Sequence, residues 1–124
     1  MRKETRSLAV LVGMLSVLSG CSFFARGPDD YRTAVRKVLD TRNAQVESCY
    51  RQALAADPNA TGRVVVKFDV EPKTGNFANP AVVEQETRAS DAVKNCVLTS
   101  LDGLVLAPPD QRKGEATFAW EFSR

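Results

Sequence analysis

Two stretches of alternating apolar and polar residues most restrict what this chain can fold into. Residues 62–70 place Val64, Val66, Phe68 and Val70 at every second position. Residues 114–123 do the same with Ala116, Phe118, Trp120 and Phe122, and the positions between them are Glu115, Thr117, Ala119 and Glu121. Side chains two residues apart share one face of a β-strand. Both stretches are therefore predicted to be strands with one apolar face, and that face must be covered.

A third, weaker strand is predicted at about residues 77–85. The turn before it contains Gly75 and Asn76, either of which can adopt positive φ. A turn this short makes the first two strands antiparallel. Pro80 has no amide proton for a sheet ladder, which indicates an edge strand or a bulge.

Two helical patterns can supply the cover for the strands. The first runs from about residue 31 to residue 56, and Asp29 or Asp30 is predicted to cap it. Arg42 and Asn43 interrupt its apolar face, so its first turns either stand clear of the core or form a separate helix. The second follows Ser90 or Asp91, and its apolar face consists of Val93, Cys96, Val97, Leu101 and Leu104.

The resulting order is α-β-β-α-β, which predicts an α+β fold for residues 29–124. We expect a two-layer sandwich whose three-stranded antiparallel sheet has the order 2-1-3 and carries two helices on one face. In this arrangement the last strand lies at an edge of the sheet.

The first twenty residues follow the pattern of a secretory signal. Basic residues at the start precede an apolar run over residues 8–18, and Ser19 and Gly20 lead to Cys21. The run is too short to span a bilayer, which needs about 20 apolar residues. Leu18-Ser19-Gly20-Cys21 resembles the lipobox of bacterial lipoproteins. The resemblance implies that residues 1–20 are removed, that Cys21 carries the lipid, and that residues 21–28 form a tether. The alternative is a plain secretory signal with a coincidental cysteine.

This interpretation places the protein in the cell envelope, with its membrane contact made through the lipid. Ser22 after the lipidated cysteine favours an outer-membrane anchor facing the periplasm. The chain has 17 basic and 15 acidic residues. Without residues 1–20 it has 14 of each, so its charge gives no indication of a nucleic-acid partner.

Cys49 and Cys96 each lie on the apolar face of a predicted helix. If both helices cover the same face of the sheet, the two thiols can meet, and in an exported protein they are expected to form a disulfide. The alternative is two buried free thiols that pack as small apolar groups.

Several segments together resemble the TonB C-terminal-like domain, and in particular its paired-cysteine variant in myxobacterial gliding-motility envelope proteins. The segments are Cys49 ahead of residues 62–68, the turn at residues 72–75, residues 91–97, and the closing residues 118–122. The resemblance covers about residues 44–124.

The resemblance implies the same α-β-β-α-β order and a function. In TonB the edge of the last strand pairs with an extended peptide of a partner, so Glu115, Thr117, Ala119 and Glu121 are the candidate partner-binding edge. The inner-membrane helix, the proline-rich spacer and the early tyrosine-proline element of TonB have no counterpart here. Transduction of force is therefore not expected of this chain alone.

The residue content gives little support for catalysis, so the chain is predicted not to be an enzyme. It has no histidine, which excludes Ser-His and Cys-His nucleophile pairs. With Cys21 acylated and the other cysteines paired, no metal or cofactor is expected. Glu84 and Glu86, on one predicted strand face, are interpreted as solvated.

Two further groups of residues are given structural interpretations. Arg32, Arg36 and Lys37 are interpreted as an exposed helix face, and the alternative is a contact with lipid headgroups. Trp120 is expected to pack in the core, and the alternative is a platform for a ligand.

Together these patterns predict a non-enzymatic, lipid-anchored periplasmic protein that binds a protein or peptide or acts as a scaffold. The identity of the envelope partner does not follow from the sequence. The alternative is a structural component of envelope assembly or motility complexes that self-associates, for example as a homodimer, without a peptide ligand.

Overall fold

The computed structural model describes residues 25–124, so the predicted signal peptide and the lipid site at Cys21 lie outside the described residues. In chain order the elements are α1 (Pro28–Asp40), α2 (Asn43–Ala56), β1 (Gly62–Val70), β2 (Phe77–Val82), a 3₁₀ turn (Glu84–Glu86), α3 (Asp91–Ser100) and β3 (Gly114–Phe122). The three strands form an antiparallel sheet in the order β2-β1-β3. The predicted α+β fold and strand order are confirmed.

β1 is the central strand and its two partners pair with it differently. With β3 the register is unbroken from the Gly62–Phe122 pair to the Val70–Gly114 pair. With β2 the register shifts between Lys67 and Asp69, and Pro80 lies at that irregularity. The prediction that Pro80 marks an edge or a bulge is therefore confirmed.

The core lies between one face of this sheet and the helices. Val64, Val66, Phe68 and Val70 of β1 are all at most 1% exposed. The ring of Phe68 stacks with Phe77 of β2 at 4.9 Å and with Phe118 of β3 at 6.1 Å between centroids. The predicted apolar face of α3 is also buried, and it consists of Val93, Cys96 and Val97, continued by Leu101 and Leu104. Each of the three α-helices and three strands thus contributes to one continuous apolar cluster.

The helical pattern of residues 31–56 is two helices, so three helices of the described chain cover the sheet where two were predicted. The break follows Asp40, where the Thr41 hydroxyl donates to the Val38 carbonyl at 2.6 Å. Val35 and Leu39 of α1 are 0% and 7% exposed, so these turns pack in the core. The break lets each of the two short helices turn its own apolar side to the sheet.

The start of α1 also differs from the prediction that Asp29 or Asp30 is its cap. Gly27 is the N-cap and Pro28 begins the helix, where a missing amide proton costs nothing. Asp29 and Asp30 lie in the first turn instead, and their negative charge suits the positive end of the helix dipole.

A disulfide joins Cys49 of α2 to Cys96 of α3, with 5.7 Å between the two Cα atoms. The predicted pairing is confirmed, and the alternative of two free thiols is excluded in this structure. The bond closes a chain segment of 47 residues. Restricting a loop of that length in the unfolded chain is worth about 4 kcal/mol in the chain-entropy model.

Replacing both cysteines, as Cys49→Ala with Cys96→Ala, should lower the free energy of unfolding by about 4 kcal/mol. The reason is the larger conformational entropy of the uncrosslinked unfolded chain. Urea unfolding followed by circular dichroism measures the change. The unmutated protein in reducing agent is the control and should unfold at nearly the same urea concentration as the double variant. A loss below about 1 kcal/mol would show that the helices hold together without the bond.

Candidate functional site

The two edges of the sheet are not equally accessible. At the start of β2, residues 104–106 cover the edge, since the Phe77 amide donates to Leu104 at 3.0 Å and the Leu106 amide donates to Gly75 at 2.8 Å. This close approach requires glycine at position 75, where φ is +73° and a Cβ atom would lie 2.0 Å from the Leu106 carbonyl oxygen. The rest of β2 is irregular around Asn79 and Pro80. β3, by contrast, is a regular nine-residue strand at the other edge.

The hydrogen bonds of β1 show which backbone groups of β3 point outward. Arg63 of β1 exchanges both of its backbone hydrogen bonds with Arg88, at 3.0 and 2.7 Å, on the β2 side. Because these groups alternate in direction along a strand, the even-numbered residues of β1 bond to β3. Their partners in β3 are also even-numbered, from Gly114 to Phe122. The odd-numbered residues of β3 therefore direct their N–H and C=O groups away from the sheet.

Those odd-numbered residues are Glu115, Thr117, Ala119 and Glu121, the four that the sequence analysis singled out. All four are exposed, and their side chains lie on the face of the sheet opposite the helices. No hydrogen bond from another part of the described chain reaches their backbone groups. The edge thus presents a row of unpaired donors and acceptors, which is the geometry that accepts an additional strand.

A groove lies beside the first half of this edge, between the start of α1 and β3. Its volume is about 640 Å³, and its lining includes Ala116 and Phe118 of β3 and Arg32 of α1. Gly114 and Tyr31 also line this groove. They are in close contact, because a Cβ atom at position 114 would lie 1.7 Å from the Tyr31 hydroxyl oxygen. The absence of a side chain at Gly114 lets the Tyr31 ring lie directly on the strand.

A second groove of about 460 Å³ lies beside the other end of β3, against α2. Its lining includes Tyr50, Leu54 and Phe122. The rings of Tyr50 and Phe122 are 4.8 Å apart between centroids. Together the two grooves give the β3 edge a recess at each end, lined by both apolar and charged side chains.

The ring of Phe118, which lines the first groove, is covered by two arginines of α1. The guanidinium carbons of Arg32 and Arg36 are 4.8 and 5.3 Å from its centroid, within the range of cation–π attraction. Lys37 lines a different cleft, next to Asp30 and Thr33. All three residues are exposed, as interpreted, but they do not form a single basic face. The i, i+4 spacing of Arg32 and Arg36 puts them on one side of the helix, but only the packing angle of α1 brings that side over β3.

The position of α1 is fixed by an ion pair that connects distant parts of the chain. The Arg26 guanidinium bonds to the Asp110 carboxylate, and the Arg26 amide donates to the same carboxylate at 3.2 Å. Both side chains are less than 10% exposed. The nearby Tyr31 hydroxyl is buried without a hydrogen-bond partner, and burial, helped by the charge of Asp110, raises the pKa of this phenol. This group of residues stayed undetected in the sequence because Arg26 and Asp110 are 84 residues apart.

Asp110→Ala should lower the free energy of unfolding by about 3 kcal/mol, because Arg26 keeps a buried charge without its partner. Denaturant titration gives the value, and hydrogen exchange should show faster exchange in the first turns of α1. Asp102→Ala is the control, since Asp102 is exposed and its side chain should contribute less than about 0.5 kcal/mol. Equal effects of the two substitutions would contradict the role given to the ion pair.

The other candidate residues have ordinary structural positions. Glu84 and Glu86 are exposed, as interpreted, but they lie in the 3₁₀ turn, and their predicted place on a strand face was wrong. Glu84 pairs with Lys94 at 2.9 Å, and this hydrogen bond raises the pKa of the Lys94 ammonium group. Trp120 is half-buried and packs against the apolar cluster, as expected.

Residues 25–124 contain no group of three or more acidic or cysteine side chains placed to hold a metal ion. None of the helices in this part of the chain has the length and apolar character needed to cross a membrane.

Comparison of the chain with protein-family models, curated proteins and solved structures gave no match. The geometry of the site and the sequence pattern therefore carry the functional argument.

Proposed function

We propose that this protein is a non-enzymatic, lipid-anchored module of the cell envelope that binds an extended segment of a partner protein along the β3 edge. The observation that carries the proposal is the row of outward-directed backbone groups at Glu115, Thr117, Ala119 and Glu121. Backbone hydrogen bonds supply affinity in strand addition, and pockets for alternate side chains supply specificity. The two grooves beside β3 could receive alternate side chains of the partner segment and so supply specificity.

We further propose that the domain is TonB C-terminal-like. The support is the α-β-β-α-β order, one paired cysteine on each of two helices, and a last strand at an open edge. α1 is an additional helix ahead of the segment that carries the resemblance.

The anchor in this proposal is a lipid on Cys21, supported by the basic start, the apolar run and Leu18-Ser19-Gly20-Cys21. Arg26, which is bonded to Asp110, follows Cys21 by five residues. Five extended residues reach at most about 18 Å. The start of α1 and the groove beside it would therefore be held close to the membrane surface, on the proposed periplasmic face of the outer membrane.

Metabolic labelling with an alkyne fatty acid tests the anchor. The protein should incorporate the label, and Cys21→Ala should abolish incorporation because no thiol remains to be acylated. Cys49→Ala with Cys96→Ala is the matched control and should still be labelled. Label retained by the Cys21→Ala variant would exclude this site of attachment.

Proline at Thr117 or Ala119 tests the edge. Each substitution removes an amide that points away from β1, so the fold should persist while capture of the partner from crosslinked envelopes is lost. Thr117→Val keeps the amide and is the control. Circular dichroism checks folding in each variant. Capture that is unchanged in both folded proline variants would reject the β3 edge as the binding site.

A further inference from the structure

We infer that the segment bound at the β3 edge has a defined charge pattern. Its side chain opposite Phe118 is acidic and is bound by Arg32 and Arg36, and its side chains opposite Glu115 and Glu121 are basic. This inference rests on the proposed strand addition and specifies the chemistry of the partner.

The alternation of the sheet decides which side chain meets the arginines. A strand added to β3 continues the pleat, so its residue opposite Phe118 directs its side chain to the helix-facing side. Directly opposite side chains in antiparallel strands have Cβ atoms about 4.5–5.5 Å apart. The guanidinium groups of Arg32 and Arg36 lie 4.8 and 5.3 Å from the Phe118 ring. A carboxylate on a side chain at this position can therefore reach both groups.

The two guanidinium groups have no carboxylate partner within the described chain. Neither arginine takes part in an ion pair among residues 25–124, and both guanidinium groups lie over the ring of Phe118. Two like charges gathered over one ring repel each other, and a shared carboxylate removes that repulsion. Hydrogen bonds between guanidinium groups and a carboxylate are also among the stronger ones in proteins.

On the face of the sheet away from the helices, the charged side chains of β3 are acidic. Glu115 faces outward, and its neighbour across the sheet is Asp69, whose carboxylate is 3.4 Å from the Lys113 ammonium group. Glu121, near the other end, is 3.5 Å from Arg63 and largely exposed. Opposite charges directly across a strand pair are stabilising and like charges are destabilising. An incoming strand therefore gains from basic side chains at both of these positions.

The same charges disfavour a second copy of the chain as the occupant. In the antiparallel register that pairs all four edge residues, Glu115 of each copy lies opposite Glu121 of the other. The Phe118 residues are then neighbours, which brings four arginines together. Both faces of a β3–β3 dimer would therefore carry like-charge contacts. A segment with an acidic residue opposite Phe118 and basic residues opposite Glu115 and Glu121 would make no like-charge contact on either face.

Fluorescence anisotropy on the full chain in detergent, with labelled peptides, tests the pattern. The complementary peptide is Lys-Val-Thr-Glu-Thr-Val-Lys, antiparallel to β3 with its glutamate opposite Phe118. Its matched control, Lys-Val-Thr-Thr-Glu-Val-Lys, has the same composition but directs the glutamate to the other face. We expect the first to bind about tenfold more tightly, since hydrogen bonds to charged groups have that magnitude. Equal affinities, or no binding of either peptide, would overturn the inference.

Charge reversal of the arginines, as Arg32→Glu with Arg36→Glu, should weaken binding of the complementary peptide by at least about tenfold. The same variant should bind better to a peptide with lysine in place of the central glutamate. Lys37→Glu, on another side of α1, is the single-reversal control and should bind normally. Because the reversed pair could loosen the cover of Phe118, Arg32→Gln with Arg36→Gln serves as a second variant that keeps most of each side chain. Unchanged binding in either folded double variant would refute the role of the arginines.

The proline variants distinguish this inference from the proposed function. If Thr117→Pro abolishes binding while peptides with and without the central glutamate bind equally, strand addition stands and the charge pattern is wrong. If Thr117→Pro leaves peptide binding intact, the peptide does not use the β3 edge, and both the function and the charge pattern fail.

Discussion

β1 pairs with β3 without interruption along the whole of both strands, and this ladder determines both the core and the open edge. On one face it aligns Val64, Val66 and Phe68 with Trp120, Phe118 and Ala116, and so forms the surface that the helices cover. In the plane of the sheet it uses the backbone groups of alternate β3 residues and leaves the others directed outward. If the pairing register of β3 against β1 shifted by one residue, the inward- and outward-directed backbone groups of β3 would exchange places. The apolar side chains of β3 would then face solvent.

The helices cover this ladder as three short elements, and two long-range contacts help to hold them in place. α2 and α3 are joined through Cys49 and Cys96. α1 is joined to the loop before β3 by Arg26 and Asp110, and its arginines lie over Phe118. A domain of about 100 residues has a limited apolar core, so crosslinks of this kind carry a larger share of its stability than they would in a larger protein.

The parts of the fold with a clear local period could be predicted from the sequence. The alternation at Val64–Val70 and Ala116–Phe122 predicted the strands and their buried faces, because side chains two residues apart share one face of a strand. The edge position of the last strand was predicted from the strand order 2-1-3 and not from the alternation. The break after Asp40 was only one of two alternatives, since polar residues at Arg42 and Asn43 fit an exposed turn of one helix as well. The arrangement of Arg32 and Arg36 over Phe118 could not be predicted. It depends on how α1 is rotated and placed, which is a property of the folded core.

If the chain is anchored through Cys21, as proposed, the ion pair between Arg26 and Asp110 has a further consequence. Only four residues separate Cys21 from Arg26, and Arg26 is bonded to the domain through Asp110, so the domain would stay close to its point of attachment. A partner anchored in the same leaflet then meets the domain within a thin layer, where confinement raises the effective concentration of each for the other. In that geometry even a weak pairing at the edge of β3 can be occupied much of the time.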